Sequence, residues 1–122
     1  MLLDSNIIIY PFQPAFQFLQ EFIRNRTTCC SAISCVETLG YHRLSEQEKY
    51  YLHQFFRTIS VLPVSRPIIN TAIEIRQLRK ISLGDALIAA TAMEHRQPLI
   101  TRNIKDFSWI KGLKIVNPLA ED

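Results

Sequence analysis

The sequence predicts an α/β fold: a three-layer α/β/α sandwich around a central, mostly parallel five-stranded sheet. Three observations predict it. Short apolar or β-branched runs alternate with segments of helical spacing along the whole chain. Most of those runs lack polar/apolar alternation, as strands covered on both faces do. Finally, no repeat, low-complexity stretch or linker divides the 122 residues, a length that suits one domain spanning 1–122.

The elements follow in order. Met1-Leu2-Leu3 is a buried strand that stops at Asp4, with a turn at Ser5-Asn6. After Pro14, the residues Phe16, Leu19, Phe22 and Ile23 recur at helical spacing. Thr27 to Ile33, β-branched and rich in cysteine, is the second strand. Ser34 caps a helix with Val36 and Leu39 on its apolar side. Ser45-Glu-Gln-Glu opens another, which carries Tyr51, Leu52, Phe55 and Phe56. The third strand runs from Ile59 to Val64. Ser65, with Pro67 just inside, starts a helix through Arg79. Ser82 starts the next, whose alanines (Ala86, Ala89, Ala90, Ala92) allow close packing on a sheet. Pro98 to Thr101 is the fourth strand and Leu113 to Val116 the fifth.

Composition narrows the class of protein. A hydrophobic fraction of 48% supports a packed core rather than disorder. The N-terminus has no basic leader, and no stretch reaches the roughly 18 apolar residues of a membrane span. The expectation is therefore a cytoplasmic protein with no membrane contact. Cys29, Cys30 and Cys35 fit neither a disulfide framework nor four-ligand zinc spacing, and read as reduced thiols. The net charge of +3 is uneven. Residues 76–114 hold eight basic side chains against three acids, a bias that suits a polyanionic partner.

Four of the eleven acids fall where strands give way to helices: Asp4, Glu37, Asp85 and Asp106. In a parallel sheet the carboxyl ends of the strands share one edge, and ligand sites form there. Three of these acids admit a humbler reading. Ser34-x-x-Glu37, Ser82-x-x-Asp85 and Asn103-x-x-Asp106 each resemble a capping box. Asp4 escapes that account, because it directly follows a buried strand and a lone carboxylate there is costly. If the four meet, a divalent cation offsets their repulsion, and hard oxygen donors favour Mg²⁺ or Mn²⁺.

The motifs around these acids carry a resemblance. LLDSNIIIY (2–10), SAISCVE (31–37), SLGDALIAATA (82–92) and LITRNIKDF (99–107) stand in the order found in PIN-domain nucleases. The chain resembles most closely the VapC toxins of toxin–antitoxin systems. The resemblance implies a PIN-like sandwich and a metal-dependent endoribonuclease, whose products carry 5′-phosphate and 3′-hydroxyl ends. It implies that Asp4 and Asp85 are the central Mg²⁺ (or Mn²⁺) ligands. Asp106 joins them as a metal ligand, and Glu37 completes the catalytic acids. Ser5, Asn6, Thr101 and Asn103 take supporting hydrogen-bonding places; some members carry an acid where this chain has Asn103. The implied partners are RNA, a cognate antitoxin and a second copy of the chain in a homodimer.

Arg79, Lys80, Arg102 and Lys105 flank the acids in sequence and are read as contacts to RNA phosphates. Phe12, Phe16, Phe18 and Phe22 exceed one helical face, as a groove for a partner segment would require. Trp109 and the remaining phenylalanines read as core. Two other readings compete. A catalytically inactive PIN-fold module that binds RNA or protein is disfavoured because all four acids are present. A phosphoacceptor receiver domain needs adjacent acids after the first strand, and here Ser5 follows Asp4.

Overall fold

The structure, a computed structural model, describes residues 1–24 and 26–118. It begins with β1 (Leu2–Leu3) and α1 (Ser5–Ile9), then two short 3₁₀ turns at Tyr10–Phe12 and Pro14–Phe16. Next come α2 (Phe18–Arg24), β2 (Cys29–Ser31), α3 (Ala32–Leu39) and α4 (Glu46–Thr58). The second half runs through β3 (Ser60–Leu62), α5 (Arg66–Leu78), α6 (Leu83–Glu94), β4 (Leu99–Ile100), α7 (Ile104–Phe107) and β5 (Ile115–Val116). The five strands form one sheet in the order β3-β2-β1-β4-β5, and each pairing is parallel. The first strand is therefore central, with the order reversing on either side of it.

Strand register explains the absence of polar alternation. Leu2 pairs with Cys29 and Leu99, and Leu3 with Cys30 and Ile100. Successive side chains point to opposite faces of a strand. Leu2 and Leu99 accordingly join a core with Ile68, Ala72 and Ile75 of α5, the buried face of α6, and Phe107. Leu3, Cys30 and Ile100 join a second core with Ile7 and Ile8 of α1, Ile23 of α2 and Leu52 of α4. Both faces of the sheet are covered, so both sets must be apolar. Helix α6 is buried almost all round at Ala86, Ile88, Ala89, Ala90, Thr91 and Ala92, where small side chains let α5 and the sheet approach.

Several boundaries differ from the sequence-based expectations, for local reasons. The strands are two or three residues long because helices begin directly at their ends: Asp4, just past β1, and Ser31, the last residue of β2, are the N-caps of α1 and α3. Ser5-Asn6 is not a turn but the first turn of α1: Asp4 is its N-cap, and Asp4 Oδ1 accepts from the Ser5 N–H at 2.8 Å. The cap of α3 is Ser31 rather than Ser34, with Ser31 Oγ accepting from the Ile33 N–H at 3.1 Å. The helix expected after Pro14 is broken, because Pro11 and Pro14 each open a 3₁₀ turn before α2 starts at Phe18. Helix α5 ends at Leu78, and Arg79 is extended. Ser45 makes the full reciprocal capping box with Glu48.

Candidate functional site

The carboxyl ends of β1, β2 and β4 converge on Asp4. Its side chain is buried, 3% exposed, at the start of α1. Two donors hold it: the Ser5 N–H on Oδ1, and the Thr101 hydroxyl on Oδ2 at 2.7 Å. Thr101 is itself fully buried just past β4, and it also accepts from the Asn103 N–H at 3.0 Å. Burial pushes the Asp4 carboxyl up to about 6. The Thr101 and Ser5 hydrogen bonds pull it down, and the negative fields of Asp85 and Glu37 push it up again. Asp4 is thus a carboxylate kept at a cost, in the field of two other acids.

Glu37 reaches the site from α3. With Ser31 as N-cap, Glu37 lies beyond the first turn of α3, so the Ser34-x-x-Glu37 capping box does not form. Its Oε1 accepts instead from the Ser5 hydroxyl at 2.7 Å, and the Ser5 and Ser34 hydroxyls are bonded at 2.9 Å. Its other oxygen lies against Gly84 in the first turn of α6, so close that a Cβ there would collide with it.

Asp85 follows Gly84 and is half-buried. Half of its capping box is real: Ser82 Oγ accepts from the Asp85 N–H at 3.1 Å. Burial raises the Asp85 carboxyl above the usual range, Ser82 opposes this, and Asp106 and Glu37 add to the rise. Asp106 is exposed in the first turn of α7. Its N-cap Asn103 makes no side-chain cap bond, so the Asn103-x-x-Asp106 box is absent. Asn6 sits half-buried in the first turn of α1.

Asp4 and Asp85 each feel Glu37, Asp4 feels Asp85, and Asp85 feels Asp106. The four acids therefore share one electrostatic neighbourhood. Among the described residues, however, no three His, Cys, Asp or Glu side chains stand close enough to form a ready-made metal group. Ser34 and Gly84 escaped the sequence reading as site residues. A glycine within an otherwise helical pattern was the available signal for the second.

The basic side chains lie on two flanks. Arg102 stands over the rings of Tyr10 and Phe16 at 5.6 and 5.7 Å. Arg79, Lys80 and Lys105 line a polar cleft of about 260 Å³ with Ile81, Ser82, Asp85, Asp106 and Trp109. On the far side of Glu37, a mostly apolar cleft of about 410 Å³ is lined by Ile9, Tyr10, Phe12, Thr38, Tyr41 and Leu44 among others. Of the four phenylalanines expected at a groove, Phe12 lines it, Phe16 packs on Tyr10, Phe18 is exposed and Phe22 packs into the core. The three cysteines are free, and burial raises each thiol. Among the described residues no helix is long and apolar enough to cross a membrane.

A parallel sheet with acids near the carboxyl end of its central strand defines a class: α/β domains with an acidic edge where the strand order reverses. Within that class the chain belongs to the PIN domain family, whose profile matches residues 1–112. Ribonuclease VapC1 of Rickettsia felis is 44% identical over 46 residues, which span 36% of this chain and 34% of that protein. The solved structures similar to this chain include a toxin–antitoxin complex from Klebsiella pneumoniae, 31% identical over 96% of each chain with a TM-score of 0.79. FitAcB from Neisseria gonorrhoeae is 26% identical over 96% of each chain, with a TM-score of 0.76. VapBC2 from Rickettsia felis, bound to a promoter DNA fragment, is 25% identical over 95% of this chain and 96% of that one, with a TM-score of 0.78.

Proposed function

We propose that this chain is a divalent-metal-dependent endoribonuclease, the toxin of a toxin–antitoxin pair, with Asp4, Glu37, Asp85 and Asp106 as its acids. The observation that carries the proposal is Asp4, a buried carboxyl held ready by two donors and pushed up to about 6 in the field of two other acids. Burial makes such a group costly to ionise. A cation beside it would repay the burial. The donors are all carboxylates, which suits Mg²⁺ or Mn²⁺. They stand apart, which suits an ion that keeps part of its water shell, as Mg²⁺ does. Asp4, Asp85 and Asp106 would hold it. When bound, the cation supplies an activated water and stabilises charge on the phosphoryl group.

The chain's own residues do the rest. Thr101 and the Ser5 N–H fix the Asp4 carboxylate in one orientation. The Ser5 hydroxyl fixes Glu37, the acid that would take a proton from water. The basic flanks, Arg102 on one side and Arg79, Lys80 and Lys105 on the other, hold the RNA backbone. The similarity to a protein named as a ribonuclease and to toxin–antitoxin complexes supports this reading. The apolar cleft beside Glu37 is where an antitoxin segment would sit and cover the acids. Exposed Ile69, Ile73, Leu78 and Leu83 on α5 and α6, with Val36 on α3, are the faces we assign to a homodimer. The protein works, on this reading, in the cytoplasm. Cleavage of a labelled RNA, measured with and without EDTA, tests the assignment; cleavage that persists in EDTA would remove the metal from it.

A further inference from the structure

The cleft between α5, α6 and α7 holds three basic side chains, and none of them forms an ion pair among the described residues. The Lys49–Glu46 bridge at 3.1 Å, on the surface of α4, is the one ion pair among the described residues. Arg79, Lys80 and Lys105 thus share a cleft with Asp85 and Asp106 without bridging to either. The segment that carries them is nonetheless built. Ile81 is buried, and its carbonyl accepts from Arg76 Nε at 3.3 Å, which pins the α5–α6 turn. Arg79 leaves α5 in an extended conformation, and its guanidinium lies 4.8 Å over the centre of the Trp109 ring. Trp109 is half-buried rather than fully in the core, and its ring is fixed by Nε1 donating to the Asp106 carbonyl at 2.9 Å. An arginine stacked on an aromatic face keeps its N–H edge free, and less freedom is lost when that edge binds a phosphate.

We propose that this cleft is a phosphate subsite for the RNA nucleotide next to the one cleaved, with Arg79 as the clamp and Trp109 as the platform that presets it. The inference rests on the ribonuclease reading and adds where the strand leaves the acids. Asp85 and Asp106 line the same cleft as the cations. A backbone running through it meets cations one step from the acids, which fixes its register.

The test combines cleavage of a short single-stranded RNA with its binding in EDTA, followed by fluorescence anisotropy, over a range of KCl. Arg79→Gln should raise KM about tenfold and move kcat less than KM. Its salt slope should fall by about 0.7, the loss of one phosphate contact on a single strand. Trp109→Leu should weaken binding in the same way, Trp109→Phe should restore most of that loss, and Arg79→Gln/Trp109→Leu should add little to either single change. A wild type that cleaves RNA, with KM and salt slope unchanged in Arg79→Gln, overturns the subsite and points these cations at another anion, such as an acidic protein segment. A wild type that binds but does not cleave RNA, with binding weakened in Arg79→Gln, overturns the nuclease reading and leaves the subsite. Neither binding nor cleavage overturns both.

Discussion

The Glu37 carboxylate of α3 rests against the backbone of Gly84 in α6, in space that any side chain at position 84 would take. Glycine is the poorer helix former here, by about 0.5–1 kcal/mol relative to alanine. Its presence one residue before Asp85 makes sense as clearance for Glu37. The atom in the way is the end of a flexible side chain, so the conflict is resolved by moving the carboxylate and not the fold. Gly84→Ala should therefore leave the melting temperature unchanged or slightly raised, while RNA cleavage falls by about 10- to 100-fold, the usual penalty for a misplaced catalytic group. A variant that keeps full activity would show that Glu37 need not occupy this position.

Thr101→Val isolates the donor that holds Asp4. The substitution keeps the shape of a fully buried side chain and removes the 2.7 Å hydrogen bond to Oδ2. It also removes the acceptor for the Asn103 N–H. Urea denaturation at neutral pH should show a loss of about 1.5–3 kcal/mol, the range for a bond to a charged group. No measurable loss would mean that Asp4 is held by other contacts.

The pH dependence of the metal-free protein follows from Asp4. Its carboxyl is raised in the folded state to about 6 from an ordinary 3.8, mainly by burial. The folded form therefore binds the proton more tightly than the unfolded form. Stability from this group is full below about pH 4, falls as pH rises between about 4 and 6, and then levels, by about 3 kcal/mol in all. Chemical denaturation in EDTA across pH 4–7.5 should show that decline, and Asp4→Asn should reduce it, leaving the part contributed by the raised Asp85 carboxyl. An unchanged slope in Asp4→Asn would place the titration elsewhere.

How much of this was legible in the sequence depends on which physical signal each feature leaves. The sheet was readable because Leu2 and Leu3 must both be apolar when β1 is covered on both faces. Asp4 stood out because it directly follows such a strand, but the cap it makes at the start of α1 was missed, because Ser5-Asn6 reads as a turn. The ends of helices were less legible: Ser31 and Ser34 are both competent caps, and only the point where β2 stops decides between them. That choice also decides Glu37, which would be a cap residue in one register and in the other meets Ser5 and Gly84. Gly84 and Trp109 were hidden because their roles are contacts between elements distant in the chain.

Cation binding should appear as stabilisation before it appears as catalysis. Mg²⁺ that relieves the repulsion among Asp4, Asp85 and Asp106 should raise the melting temperature of the wild type, by several degrees at saturating concentration. Asp85→Asn should show a smaller rise. Equal rises in the two proteins would reduce Asp85 to a helix-cap residue.

Cleavage of a single-stranded RNA in Mg²⁺ by the wild type, Asp4→Asn and Asp85→Asn, each checked for folding by circular dichroism, tests the account at its centre. It predicts cleavage by the wild type, and loss of at least about a hundredfold in both variants with the fold intact. Cleavage by a folded Asp4→Asn at the wild-type rate would contradict it.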